Sequence, residues 1–179
     1  MFLRTWRFIT VLFTALLTGA TFCHTLELPA KMGYSAVLYI TLQKSLYWMF
    51  GPQGVGAYIE VSAVVTTLVL AFLVRKRQPA FFLTLAASVC LLIAFPVLFF
   101  WFNAPVNAVW SGVTTPQSIP ADWTRLRDQW EYSHAARFGL HLLALSALVL
   151  SLILETPLNR ERERHFVQNY PQMNTDERR

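Results

Sequence analysis

The sequence predicts an all-α integral membrane protein built as a four-helix bundle, and three observations predict it. Of the 179 residues, 55% are hydrophobic and only 14% are charged, whereas about 25% are charged in a typical soluble domain. Four apolar segments are nearly long enough to cross about 30 Å of hydrocarbon as helices. The 15 basic residues fall in short clusters between those segments. This pattern argues against a soluble or disordered chain and against a nucleic-acid partner.

The apolar segments organise the chain into a membrane domain and a tail. We expect the membrane domain to cover residues 1–157, and a charged cytoplasmic tail without an apolar face to cover residues 158–179. The spans within the domain are expected at about 8–28, 57–74, 80–102 and 135–154.

Two further helical features are expected outside the hydrocarbon. Between the first two spans, Gln43 and Lys44 interrupt an apolar and aromatic pattern over residues 34–50, which favours an amphipathic helix at the membrane interface. Asp122 offers a capping side chain well before the fourth span. The fourth helix is therefore expected to begin outside the membrane and to run inward as that span.

The distribution of Lys and Arg predicts the orientation. Ten of the 15 basic residues lie before the first span, between the second and third spans, or after the fourth, and five lie on the other side. Because basic loops stay cytoplasmic, we expect both termini in the cytoplasm, with the chain in a bacterial inner membrane. Residues 1–20 also fit the first regions of a cleaved signal peptide. We expect them to be retained, because Thr18-Gly19-Ala20 is a poor cleavage site and the apolar run continues past it.

Polar side chains gather at the outward end of the predicted bundle. Ionisable groups are costly in lipid, so those near spans indicate a functional site. All four spans, or the residues at their outward ends, contribute polar side chains: His24, Glu27, Glu60, Asn103, Asn107, Glu131, His134, Arg137 and His141. The inner halves of the spans contain no charged residue, which speaks against a transport path across the whole membrane.

A stripe of aromatic, basic and imidazole side chains marks the fourth helix. Its members are spaced by 4, 3, 4, 3 and 4 residues and therefore share one helical face: Trp123, Arg127, Trp130, His134, Arg137 and His141. Such a stripe is unsuited to lipid and should face other helices or a cavity. The alternative is that the tryptophans are interfacial anchors and the charges are simply solvated.

One chemistry that these residues allow is a metal site. His24-x-x-Glu27 and Glu131-x-x-His134 each place a carboxylate and an imidazole on one helical face. Paired motifs of this kind, with a further carboxylate such as Glu60, build carboxylate-bridged di-metal sites in four-helix bundles. The equal alternative is that Glu27, Glu60 and Arg137 form ion pairs between helices.

A second chemistry is acid–base catalysis with no metal. His134 would accept a proton, with Glu131 or Glu60 orienting a histidine, and Arg137 with Asn107 would stabilise an oxyanion. Further side chains would bind a planar apolar substrate: Asn103, Trp110, Trp123, Trp130 and His141. Neither a phosphate loop nor a nucleophile elbow, a haem-attachment motif or a paired-cysteine zinc motif is present. The cofactor is thus open between none and a transition metal.

The connection between the third and fourth spans resembles one family. Asn103-Ala-Pro-Val-Asn107, followed by Trp-x6-Trp-x3-His-x2-Arg from Trp123 to Arg137, is similar to the anthrone oxygenase-like family of small four-span membrane proteins. The resemblance covers about residues 8–154. Its motif positions in this sequence are Asn103, Pro105, Asn107, Trp130, His134 and Arg137. The resemblance implies oxidation of an anthrone-type aromatic compound to a quinone with dioxygen.

The expected function combines these observations. We expect an oxidoreductase that acts on a lipophilic aromatic or quinone-like molecule at a polar pocket near the outer membrane face. The partners would be membrane lipid and that small molecule, and an oligomer or a larger membrane complex stays open. The alternative is a non-enzymatic membrane subunit or a small transporter, in which the buried polar residues only pair helices.

Overall fold

The computed structural model describes residues 1–51 and 54–155, and this part of the chain is all-helical. It contains four helices that are long and apolar enough to cross a membrane, which confirms the predicted class. The four candidate spans are Phe2–Met32, Tyr47–Leu73, Ala80–Gly112 and Trp123–Glu155. The predicted tail, 158–179, lies outside the described residues.

The first span is helix α1, Phe2–Met32, and it buries a row of hydroxyl groups. Thr10, Thr14, Thr18 and Thr21 lie on its buried face, and each hydroxyl donates to the carbonyl oxygen four residues earlier. Small hydroxyl side chains allow close approach of neighbouring helices and satisfy their own polar atoms within the helix. The half of the bundle expected to contain no charged residue therefore contains buried hydroxyls, those of Thr10 and Thr14.

The connection to the second span is compact. Helix α2, Ala36–Ser45, is capped by the Ser35 hydroxyl, which accepts from the Leu38 amide at 3.4 Å. A 3₁₀ turn, Trp48–Phe50, then leads to helix α3, Val55–Leu73. The start of α3 packs directly on this turn.

This packing gives Gly56 a steric role, and we expect Gly56→Ala to destabilise the fold. A Cβ atom on Gly56 would overlap with the backbone carbonyl of Phe50, which cannot move aside as a side chain could. Overpacking of this kind costs about 1–3 kcal/mol. Gly139→Ala is the matched control, because a Cβ there meets nothing within 4 Å and alanine is the better helix former. Thermal denaturation in detergent would show a lower midpoint for the first variant alone; equal midpoints would contradict the steric role.

The third span changes its winding midway. It comprises helix α4, Ala80–Leu92, an 11-residue π-helical segment, Ile93–Asn103, and helix α5, Ala104–Gly112. Pro96 lies within the π-helical segment. Proline has no N–H for the α-helical ladder and its ring crowds the carbonyl four residues earlier, so a proline inside a helix is a usual site of distortion.

The fourth span is helix α6, Trp123–Glu155, which runs without interruption for 33 residues. At about 1.5 Å per residue it is about 50 Å long, more than a hydrocarbon core requires. Arg7, near the start of α1, forms an ion pair with Glu155, at the end of α6. The end of the bundle where this pair lies is called the terminal end. The opposite end is called the site end.

The bundle is closed near the terminal end and more open near the site end. Helices α1, α3, α4 and α6 form a ring in which each packs on the next. Their inner core is apolar: Leu17, Ala63, Leu70, Val74, Ala87, Leu91, Ala144 and Leu148. At the site end a second core joins α2, α5 and α6, and it includes Tyr39, Val106, Trp110 and Trp130. The cavity described below lies at this end.

Candidate functional site

A cavity of about 550 Å³ lies at the site end of the bundle. Its walls come from α1, α3, α5 and α6, and residues 43–51 contribute to one side. The volume falls within the range of about 300–1,000 Å³ usual for small-molecule sites. The polar lining side chains include His24, Glu60, Asn107, His134 and Arg137, and the aromatic ones include Tyr47, Phe50, Phe99, Trp110 and Trp130.

The structure brings together most of the predicted site residues but not all of them. Among those that line the cavity, five come from the expected catalytic and substrate-binding set: Asn107, Trp110, Trp130, His134 and Arg137. Asn103, Glu131 and His141 are buried but are not among the lining residues. Trp123 is half-buried and contacts Tyr39, with ring centroids 6.3 Å apart, away from the cavity lining.

His134 is held in one orientation by α6 and by Asn103. Its ring stacks on Trp130 with centroids 3.7 Å apart, and its Nδ1 lies 3.0 Å from the Trp130 carbonyl oxygen. Its Nε2 lies 3.4 Å from Nη1 of Arg137. A guanidinium can only donate, so the facing Nε2 must accept, and Nδ1 then carries the proton.

The side-chain amide of Asn103 lies next to Nδ1 of His134 and has to be consistent with this tautomer. Its Nδ2 lies 2.8 Å from Nδ1 of His134, which would place two donors face to face. A half-turn of the amide would let Oδ1, which has no hydrogen-bond partner among the described residues, accept from Nδ1–H. It would also give up the Nδ2 contacts with the Ser133 hydroxyl at 2.6 Å and the Trp130 carbonyl oxygen at 3.4 Å. We therefore assign the proton to Nδ1 and the lone pair of the ring to Nε2, which faces Arg137.

Arg137 is paired across the bundle with Glu60 of α3. The two side chains are only 4% and 9% exposed. The guanidinium carbon also lies 5.3 Å from the ring centroid of Phe99. A buried charge needs a partner of this kind, so the pair fixes α6 against α3 at the cavity wall.

A second charged cluster surrounds Lys31, which is only 2% exposed. Its Nζ lies 3.1 Å from Glu27, 3.5 Å from Glu131 and 3.3 Å from Nδ1 of His24. The Tyr39 hydroxyl donates to Glu131 at 3.0 Å. Burial and the adjacent Glu131 carboxylate raise the pKa of the Tyr39 phenol, so this hydroxyl remains a donor.

Lys31 and Tyr39 were not among the predicted site residues. The spacing His24-x-x-Glu27-x3-Lys31 puts three polar side chains on one face of α1, and this signal could have identified Lys31. Tyr39 gives no local signal, because its partner Glu131 lies 92 residues away in the sequence.

The expected metal ligands divide between the two clusters. Glu60 is paired with Arg137, whereas Glu27 and Glu131 are paired with Lys31. His24 and His134 lie between the clusters, with ring centroids 5.1 Å apart. No group of three or more His, Cys, Asp or Glu side chains within residues 1–51 and 54–155 is arranged to hold a metal ion. Metal binding by these five residues stays a prediction.

His141 lies next to the cavity but deeper in the bundle. It is fully buried, and its Nδ1 is 3.2 Å from the hydroxyl of Thr21, a residue that lines the cavity. Its expected contact with substrate stays a prediction, because the structure shows contact with the cavity wall instead.

Three buried donor atoms belong to residues that line the cavity. Nε2 of Gln43, Nε1 of Trp110 and Nε of Arg137 have no hydrogen-bond partner within the part of the chain that the structure describes. Nε1 of Trp130, in contrast, donates to Oδ1 of Asn107 at 2.8 Å, which leaves the Asn107 Nδ2 as a further donor. The cavity therefore offers several donors suited to a ligand oxygen.

These features define a helical membrane protein with a polar, aromatic-lined cavity between its spans. Comparisons with protein-family models, with curated proteins and with solved structures find no match for this chain.

Proposed function

We propose that the protein is an anthrone oxygenase-like oxidoreductase that binds a lipophilic aromatic or quinone-like molecule in this cavity. The observation that carries the proposal is the contact of His134 Nε2 with Arg137 Nη1, at 3.4 Å, on the wall of an aromatic-lined cavity. A base and an oxyanion-stabilising cation would thereby lie beside one bound molecule. Trp130, stacked on His134, would extend a flat surface for the ring system.

The proposed reaction begins with proton transfer. Nε2 of His134 would accept a proton from the CH₂ group of an anthrone-type ring. The electron pair of that C–H bond would be delocalised onto the carbonyl oxygen. Arg137 and Nδ2 of Asn107 would stabilise that oxyanion. Dioxygen is the oxidant, and the CH₂ group plus one dioxygen becomes a carbonyl group plus one water. The enzyme supplies positioning and proton transfer in this scheme.

We also propose a placement in the membrane. Both termini would lie in the cytoplasm of a bacterial inner membrane, and the site end would face outward. Helix α2 would lie at the interface, where Lys44 is exposed, and the first turns of α6 would extend beyond the hydrocarbon. The cavity would then lie near the outer surface of the bilayer.

The experiment is an oxidation assay on the purified full chain in detergent, with dithranol as the anthrone probe. Anthraquinone formation and dioxygen consumption would be measured together, with heat-treated protein as the control for autoxidation. We expect a rate proportional to protein concentration and one dioxygen consumed for each anthrone. A rate equal to autoxidation at every protein concentration would contradict the proposal.

The alternative is a non-enzymatic membrane subunit or a small transporter. The observation that favours it is the pairing of charges between helices, Glu60 with Arg137 and Lys31 with Glu131. If this alternative is correct, substitutions at these residues lower the thermal stability, and no aromatic ligand quenches the tryptophan fluorescence. Saturable quenching by a quinone would separate the enzyme from this alternative.

A further inference from the structure

Among the described residues, α3 and the site-end half of the third span do not pack closely on each other. Near the terminal end, α3 packs on α4, the first part of that span. Beyond Leu92 the span continues as the π-helical segment and α5, which pack mainly on α6, α4 and α2. Within the described residues, neither of these two segments packs extensively on α3. On this side, α3 packs on the 3₁₀ turn Trp48–Phe50, and α5 packs on α2, so these two helices meet mainly through that connection rather than directly.

The cavity reaches this side of the bundle. Gly56 of α3 lines the cavity here, as do Ala104 and Ala108 of α5. Ala108 lines the cavity and is also exposed at the protein surface, so it lies where the cavity meets that surface, called here the mouth. Small side chains on both sides leave room for a ligand to pass.

Polarity changes from the mouth to the inner end of the cavity. Between α3 and α5 we take the mouth to comprise Ala104, Ala108 and the exposed ring of Phe50, whereas the exposed polar residues Lys44 and Ser111 line another part of the cavity. The inner end holds His134 and Arg137, whose side chains are buried. A molecule that lies with its polar group inward would thus keep its apolar part at the mouth.

The mouth lies between two apolar helices that are candidate membrane spans. Side chains on the outer surface near it are large and apolar, including Val55 on α3 and Phe100 and Trp101 on the third span, which are 48%, 55% and 73% exposed. Exposed apolar surface of this kind suits contact with lipid tails. The exposed residues Lys44 and Ser111 line the cavity toward the site end.

We infer that the cavity opens sideways into the bilayer between α3 and α5 and admits an amphiphile, an aromatic ring with one polar oxygen and an apolar tail. The ring would bind beside Trp130 with its oxygen toward Arg137, and the tail would remain at the mouth among lipid chains. The inference rests on the proposed function for the class of ligand, but the position of the opening is a property of the fold.

The first test measures what surrounds the mouth and uses no ligand. A spin label at Ala108→Cys, with Cys23→Ser and Cys90→Ser, would be probed in liposomes by oxygen, which partitions into lipid, and by a water-soluble nickel chelate. Val149→Cys, on the exposed face of α6, is the lipid reference, and Gln117→Cys, in the exposed connection before α6, is the aqueous reference. We expect the label at 108 to resemble the lipid reference. Resemblance to the aqueous reference would overturn the inference.

The second test blocks the mouth. Ala108→Phe is expected to slow the binding of decylubiquinone, followed by quenching of the six tryptophans, by about tenfold, since a hindered path lowers the association rate. Val109→Phe is the matched control, because Val109 is exposed on the same helix and does not line the cavity. An unchanged rate in Ala108→Phe would overturn the inference. Ala104→Phe serves if the first variant does not fold.

The two proposals fail in different ways. If neither quinone with a decyl tail nor the same ring without a tail quenches the wild-type protein, the proposed ligand class is wrong. The spin-label result at residue 108 still decides whether the mouth faces lipid. If the quinones bind and the Phe variant binds as fast as the wild type, the lateral opening is wrong and the proposed function stands.

Discussion

His134→Ala is expected to lower the rate of anthrone oxidation by a factor of about 10²–10⁴, the usual contribution of a positioned acid–base group. The reason is geometric, since Nε2 of His134 is the ring nitrogen beside Arg137 on the cavity wall. The variant keeps the backbone of α6 and the Glu60–Arg137 pair. It should therefore remain folded and inserted in the membrane, as judged by gel filtration and helical circular dichroism.

The control for this substitution is Tyr132→Ala on the same helix. Tyr132 is 60% exposed and does not line the cavity, so its removal should leave the rate unchanged. Activity of the His134 variant equal to that of the wild type would eliminate His134 as the proton acceptor. Loss of helical signal in that variant would instead indicate a role in packing.

Arg137→Met is expected to lower the free energy of unfolding by about 3–5 kcal/mol, because it leaves the buried carboxylate of Glu60 without a partner. Glu60→Gln should also lower the free energy of unfolding, because it leaves the buried guanidinium of Arg137 without a charged partner. The double variant should lose less than the sum of the two, since both buried charges are then gone. A double-mutant cycle by denaturant unfolding in mixed micelles measures this coupling.

An exposed ion pair in the same protein provides the comparison. Asp122 and Arg125 are joined at 2.5 Å, but their side chains are 53% and 64% exposed. Solvent screening should limit their coupling to about 1 kcal/mol or less. Equal coupling in the two cycles would mean that Glu60 and Arg137 are hydrated rather than buried.

The four spans could be predicted because length and hydropathy are local properties of the sequence. The buried stripe on the fourth helix could be predicted from its spacing, and Trp130, His134, Arg137 and His141 are all buried on α6. Trp123 and Arg127, at the start of the stripe, are half-buried. Periodicity alone carries no information about where along a helix burial ends.

The charge partners could not be predicted in the same way. Lys31 was assigned from its sequence only as a basic residue on one side of the membrane, but it lies between Glu27 of its own helix and Glu131 of α6. The second of these partners depends on how two distant helices pack. The buried threonines of α1 were overlooked because hydropathy averages over a span and does not report which face a hydroxyl occupies.

The π-helical segment, Ile93–Asn103, sets the rotational position of every residue that follows it in the third span. A π-type bond spans one residue more than an α-type bond, so the same residues wound as an α-helix would turn Asn103, Asn107 and Trp110 to another side. The length and hydropathy of the span would be unchanged. A single deletion between Ile93 and Phe102 would therefore leave insertion unchanged and turn one wall of the cavity toward the lipid.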